Sequence, residues 1–170
     1  MGNSIDSKTI EAYEPERIES VHADFLRPLY HCEIEAADDR LYMCYPREIL
    51  FGPIAALHLG LIRASFQIPG YRANFDCDSH AMTYCTAACG YHGRRSQASP
   101  DGIAVGRVAI NPIPELGYDI GHRLGTAILP DYTVIYFETI PDQCGRVREI
   151  ELDDTVRDLI EDAQRGVLFA

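Results

Sequence analysis

The chain of 170 residues has the length of one domain and is too short for two ordinary ones. Its 15 Lys and Arg against 26 Asp and Glu give a formal net charge of −11. So acidic a surface repels phosphate backbones and anionic lipid, which argues against nucleic acid and membrane as partners.

Residues 1–24 are polar and charged around Pro15 and read as a loose N-terminal arm, or a short helix over Glu16 to Phe25. The opening run Met1-Gly2-Asn3-Ser4-Ile5-Asp6 lacks the basic-then-apolar order of a secretory leader. Asp6 also stands where a myristoylation signal has Ser or Thr. His31 to Glu35 and Leu41 to Tyr45 read as two short extended pieces joined by a turn over Ala36 to Asp39. Pro46 opens a helix-prone segment, Pro53 suits a first helical turn, and Ile54, Leu57, His58, Leu61 and Ile62 recur at helical spacing. No apolar run reaches the ~20 residues a bilayer crossing needs. The longest, Ile49 to Ile62, contains Pro53, His58 and glycines and reads as a buried core helix. These features predict a cytoplasmic protein with its cysteines reduced.

Ile68-Pro69-Gly70-Tyr71 signals a loop, and irregular chain continues to Asp76. Asp78 to Cys89 follows as a helix, capped by Asp or Ser and stopped by Gly90. A polar loop spans Gly93 to Gly102. Strands are predicted at Ile103 to Ile110, Leu124 to Leu129 and Tyr132 to Ile140, with Asp131 in the turn between the last two. Asp153 to Gln164 is a capped, amphipathic C-terminal helix. Helices, then a cysteine-bearing helix, then an antiparallel sheet make an α+β fold in a single domain over residues 1–170.

Cys77 falls where irregular chain gives way to that helix. A free thiol has a pKa of ~8.5, and the unpaired N–H groups and positive dipole end of a helix favour the thiolate. The same amides can hold the oxyanion of an acyl-transfer intermediate. The flanking carboxylates of Asp76 and Asp78 oppose a thiolate, so a histidinium, a metal ion or both must offset them. His122, after Gly121 at a strand entry, is the candidate base. Pairing about Pro130-Asp131 sets a residue near 138 opposite one near 123, and one register step puts Glu138 beside His122. A carboxylate there fixes the imidazole tautomer and stabilises its charged form.

Phe75-Asp76-Cys77-Asp78, Ala81, the pair Gly121-His122 and Tyr136-Phe137-Glu138 together resemble papain-like cysteine proteases. Within that superfamily they are most similar to the calcium-dependent Cys-His-Glu protease domain of the fairy-ring mushroom agglutinin. The resemblance implies a papain-like fold, with N-terminal helices and a nucleophile-bearing helix packed on an antiparallel sheet. It implies Cys77, His122 and Glu138 as catalytic residues, Gln67 as an oxyanion donor, and Asp76 and Asp78 as ligands of Ca2+. Ser79 and His80 depart from the family pattern at the metal positions.

The expected activity is that of a cysteine peptidase or amidase acting on a peptide or protein substrate. A transamidase would use the same residues with another acceptor. The rival class is a catalytically inactive papain-like fold that binds protein as an inhibitor or adaptor. A third reading is a structural metal site on His80, Cys85, Cys89 and His92. These spread around a helix and do not easily face one point. His80, one turn along from Cys77, is an alternative base, and Arg123 an alternative partner for Glu138.

Overall fold

The computed structural model describes residues 20–22, 27–30, 32–35, 41–67, 76–95 and 102–170. In chain order its main elements are β1 (Ser20–His22), β2 (Ile34–Glu35), β3 (Leu41–Met43), α1 (Arg47–Ser65) and α2 (Cys77–Arg95). They continue with β4 (Gly102–Ile103), β5 (Val105–Ile110), β6 (His122–Ile128), β7 (Val134–Glu138), β8 (Arg148–Glu149), α3 (Asp154–Ala163) and β9 (Gln164–Phe169). The chain mixes helices with an antiparallel-rich sheet, an α+β arrangement.

Six strands form the main sheet in the order β2-β9-β5-β6-β7-β8. Only β2 and β9 run parallel; the other neighbours are antiparallel. Strand side chains alternate between faces, so each strand serves two cores. Val105, Ala127, Ile135 and Phe137 pack against Leu50 and Ile54 of α1 and Tyr84 and Ala88 of α2. Val108, Leu124, Ile128 and Tyr136 pack on the other face with Ile160 of α3 and Tyr30. A smaller sheet, β1-β3-β4, lies beside it.

Several expectations are corrected. Ser20–His22 is a strand paired with β3 rather than part of a helix over Glu16 to Phe25. The two early extended pieces are strands as expected, β2 joining the large sheet and β3 the small one. The helix-prone segment opened by Pro46 does begin there, with Pro46 as the cap before Arg47, but Pro53 lies inside a π turn over Leu50–Ile54 rather than in a first turn. That wider turn accommodates a residue with no N–H to donate. By length and composition α1 could cross a membrane, and a third of its apolar window is buried here. Ile49, Leu50, Ile54, Ala55, His58 and Ile62 are its buried residues.

Gly90 does not end α2. The helix runs on to Arg95 because Tyr91 and His92 are buried and Tyr45 Oη lies 2.9 Å from His92 Nδ1. Tertiary packing outweighs the helix cost of glycine, roughly 1 kcal/mol. The strand expected over Ile103 to Ile110 divides at Ala104, its first part joining the small sheet. Strand β9, next to β5 within the sheet, was not expected at all. The other expectations for residues 1–19, 23–26, 31, 36–40, 68–75 and 96–101 lie outside the described residues.

Two glycines separate packing from propensity. A Cβ on Gly125 would overlap the ring of Phe137, its cross-strand partner and a fully buried side chain. A Cβ on Gly90 would meet nothing within 4 Å. Gly125→Ala should therefore destabilise the protein by about 2 kcal/mol or more through overpacking. Gly90→Ala should stabilise it by about 0.5–1 kcal/mol. Urea unfolding of the two variants checks both signs.

Candidate active site

Helix α2 begins one residue earlier than expected, and Cys77 is its first residue. Asp76 supplies the cap: its Oδ1 accepts the Ser79 N–H at 3.0 Å and the Ser79 hydroxyl at 3.1 Å. Those donors hold the Asp76 carboxyl below its ordinary range. Cys77 is half-buried, and its N–H belongs to the first turn, where no helical acceptor exists.

Asp78 points to the sheet. Its Oδ1 lies 2.7 Å from Arg107 Nη1 on β5 and 3.3 Å from Arg123 Nε on β6. The negative charge of Asp78 beside Cys77 is thus offset by two guanidiniums. The same contacts bear on the calcium expectation. Calcium takes six to eight oxygen ligands. Here Asp76 caps the helix and Asp78 faces cations. Among the described residues no group of three or more His, Cys, Asp or Glu is placed to hold a metal ion. Among the described residues, Oδ1 of Asp76 and Oδ1 of Asp78 are already engaged in these contacts.

The expected His–Glu pair is present. His122 Nε2 lies 2.8 Å from Glu138 Oε2. The register of β6 and β7 pairs Gly125 with Phe137, which sets Glu138 level with Leu124, one step from the expected register. His122 reaches Glu138 diagonally along the same face, a distance that long side chains span. Glu138 Oε1 accepts the Ile140 N–H at 3.1 Å. Tyr118, which sequence reading missed, stacks on His122 with ring centroids 4.7 Å apart and planes 18° apart. Its hydroxyl donates to Glu138 Oε2 at 3.5 Å. Burial, then the Glu138 charge, push the Tyr118 phenol up to about 12, so it stays a donor at neutral pH. With Nε2 turned to Glu138, Nδ1 is the nitrogen left to His122 for a reacting group.

Cys77 and His122 line one cavity of about 480 Å3, together with Asp78, Ile110, Arg123 and Arg165. No hydrogen bond joins Sγ to the imidazole among the described contacts. Gln67 is exposed just beyond α1 and is not among the lining residues. The supposed structural metal set is dispersed. His80 is buried with its ring 6.0 Å from that of His58, His92 meets Tyr45, and Cys89 is exposed. His80 does not line the cavity, and Arg123 pairs with Asp78 rather than Glu138.

Behind the site, fully buried His58 on α1 donates from Nε2 to the Thr139 carbonyl at 2.8 Å, pinning the chain next to Glu138. Burial depresses the His58 pKa from 6.5 to about 4, and His80 shifts the same way by burial. As pH falls from 6.5 towards 4, the unfolded chain takes up a proton that the folded chain refuses. Stability is therefore present above pH 6.5 and declines across that window, by up to about 3 kcal/mol for one such histidine. Urea unfolding across the window should show this slope, and His58→Gln should reduce it. A flat wild-type curve would contradict a buried neutral His58.

No protein-family model matches the chain, and no curated protein matches it. Among solved structures it is similar to the Polyporus squamosus lectin bound to a human-type influenza-binding epitope, at 19% identity and a TM-score of 0.56. That match covers 89% of this chain and 49% of the lectin. It is similar also to a PSL1a–E64 complex, at 15% identity and a TM-score of 0.59, covering 88% of this chain and 51% of the other. The chain thus spans about half the length of these mushroom lectin structures and shares with them the fold of that half.

Proposed function

We propose that this chain is a papain-like cysteine hydrolase that cleaves an amide or ester carbonyl of a peptide or protein. One observation carries the reading: Cys77, in the first turn of a helix, and His122, already tied to Glu138, line the same cavity. In the proposed reaction His122 Nδ1 takes the Cys77 proton and the thiolate attacks the substrate carbonyl. The Cys77 N–H at the helix start stabilises the oxyanion. Glu138 holds the imidazole in the tautomer with Nδ1 free and stabilises the imidazolium. The imidazolium protonates the leaving group, and water then releases the acyl group. A transamidase would differ only in an amine replacing that water. A reducing, cytoplasmic setting belongs to the same proposal, because Cys77 must remain a thiol.

A second reading, a papain-like fold that binds protein without catalysis, is favoured by the missing hydrogen bond between Sγ and the imidazole. Thiol reactivity separates the two. At about pH 6 an ordinary thiol is almost wholly protonated, and iodoacetamide should label Cys77 at least ~10-fold faster than exposed Cys144. Cys85, whose thiol burial pushes up to about 12, should stay unlabelled. E64, bound to PSL1a in one of the similar structures, should protect Cys77 when added first. Glu138→Gln removes a charged hydrogen bond, worth ~1.5–3 kcal/mol, and should slow the labelling about tenfold or more. Peptide mapping by mass spectrometry reads every site. Labelling of Cys77 no faster than Cys144 would favour the inactive reading.

A further inference from the structure

The cavity at Cys77 does not end at β9. A second hollow of about 260 Å3 shares Arg123, Arg165 and Gly166 with it and passes Val167 and Leu168 to Glu33 and Glu35. The two form one groove, from the start of α2 across β9 to the β2 edge. On a chain of net charge −11, three guanidiniums, Arg107, Arg123 and Arg165, stand along this groove. Arg107 and Arg123 face Asp78, Arg123 at the longer distance of 3.3 Å against 2.7 Å. Arg165 is exposed and, among the described residues, forms no ion pair. A guanidinium keeps its charge at any working pH, and its planar fork matches a carboxylate with two parallel hydrogen bonds. The positive end of the 19-residue helix α2 faces the same cavity and acts in the same direction.

We propose that Arg165, assisted by Arg123, binds a carboxylate of the substrate beside Cys77, so that the site selects acidic peptides. What then happens to the peptide rests on the hydrolase reading above; the selection itself does not. Glu33 and Glu35 line the second hollow but not the Cys77 cavity, so their charge disfavours an anion there and leaves the Cys77 end for the carboxylate. The carboxylate is either an acidic side chain or a free peptide C-terminus, two sources of the same chemistry.

Paired electrophiles test this without any turnover. Iodoacetate carries a carboxylate and iodoacetamide does not, so their rate ratio at one thiol reads the local preference for an anion. Labelling at about pH 8 gives the exposed thiols a reactive fraction whether or not Cys77 is activated. The ratio at Cys77 should exceed that at exposed Cys89 and Cys144 by about fivefold at low ionic strength. It should approach theirs in about 1 M salt, where the screening length is ~3 Å. Arg165→Ala should lower the Cys77 ratio about threefold or more, and Arg165→Lys, which keeps the charge but not the fork, should lower it less. A Cys77 ratio equal to that of the other two cysteines, or unmoved by Arg165→Ala, overturns the proposal.

Three matched peptides then locate the carboxylate by protecting Cys77 from iodoacetamide. One carries an internal Glu with an amidated end, one an internal Gln with a free C-terminus, and one Gln with an amidated end. Stronger protection by the first or by the second identifies the source. Equal protection by all three counts against the proposal. Slow iodoacetamide labelling at about pH 6 with an elevated iodoacetate ratio would reject the hydrolase reading alone.

Discussion

The clasp of Asp78 by Arg107 and Arg123 fixes the relation on which the rest of the site depends. It ties the first turn of α2 to β5 and β6, the strands whose ends carry Ile110 and His122. A partly exposed ion pair contributes little to stability, about 0–1 kcal/mol. Its consequence is positional: the helix start cannot slide along the sheet without breaking contact with two strands at once. The large energetic terms lie elsewhere, in Tyr84 packed 4.7 Å from Phe137 and in the apolar faces of α1 and α2. Packing holds the helix on the sheet, and the clasp sets Cys77 at the edge shared with His122.

The other half of the site is held from three directions. Glu138 accepts from His122 and Tyr118 on one oxygen and from the Ile140 N–H on the other. The Tyr118 ring covers one face of the imidazole, and His58 anchors the backbone at Thr139. A carboxylate so saturated stays in place, and the imidazole it orients keeps Nδ1 unengaged. Besides His122, the donors are the Tyr118 hydroxyl and the Ile140 N–H, which add no further charge.

Much of this was legible in the sequence because it rests on local rules. A capping aspartate before a helix placed Cys77 at its start, and a turn at Pro130-Asp131 between two apolar runs brought Glu138 near His122. The register came out one step off, because a three-residue turn with Tyr132 at φ 66° cannot be told from a shorter one by composition. Gly90 was misread because burial of Tyr91 and His92 is a tertiary fact. Strand β9 was missed because Gln164 to Phe169 is short and follows directly on a helix with no turn residue between. The alternation of Val167 and Phe169 was the available signal. Missing β9 meant missing Arg165, and Tyr118 gave no sequence signal, since its role depends on a loop folding back over His122.

The central claim is that Cys77 and His122, which line one cavity, act together as nucleophile and base. Iodoacetamide labelling of Cys77 at about pH 6, compared between the wild type and His122→Ala, tests it most directly. The account predicts that His122→Ala brings Cys77 labelling down about tenfold or more, to the rate of exposed Cys144. Labelling of Cys77 that His122→Ala leaves unchanged would contradict it.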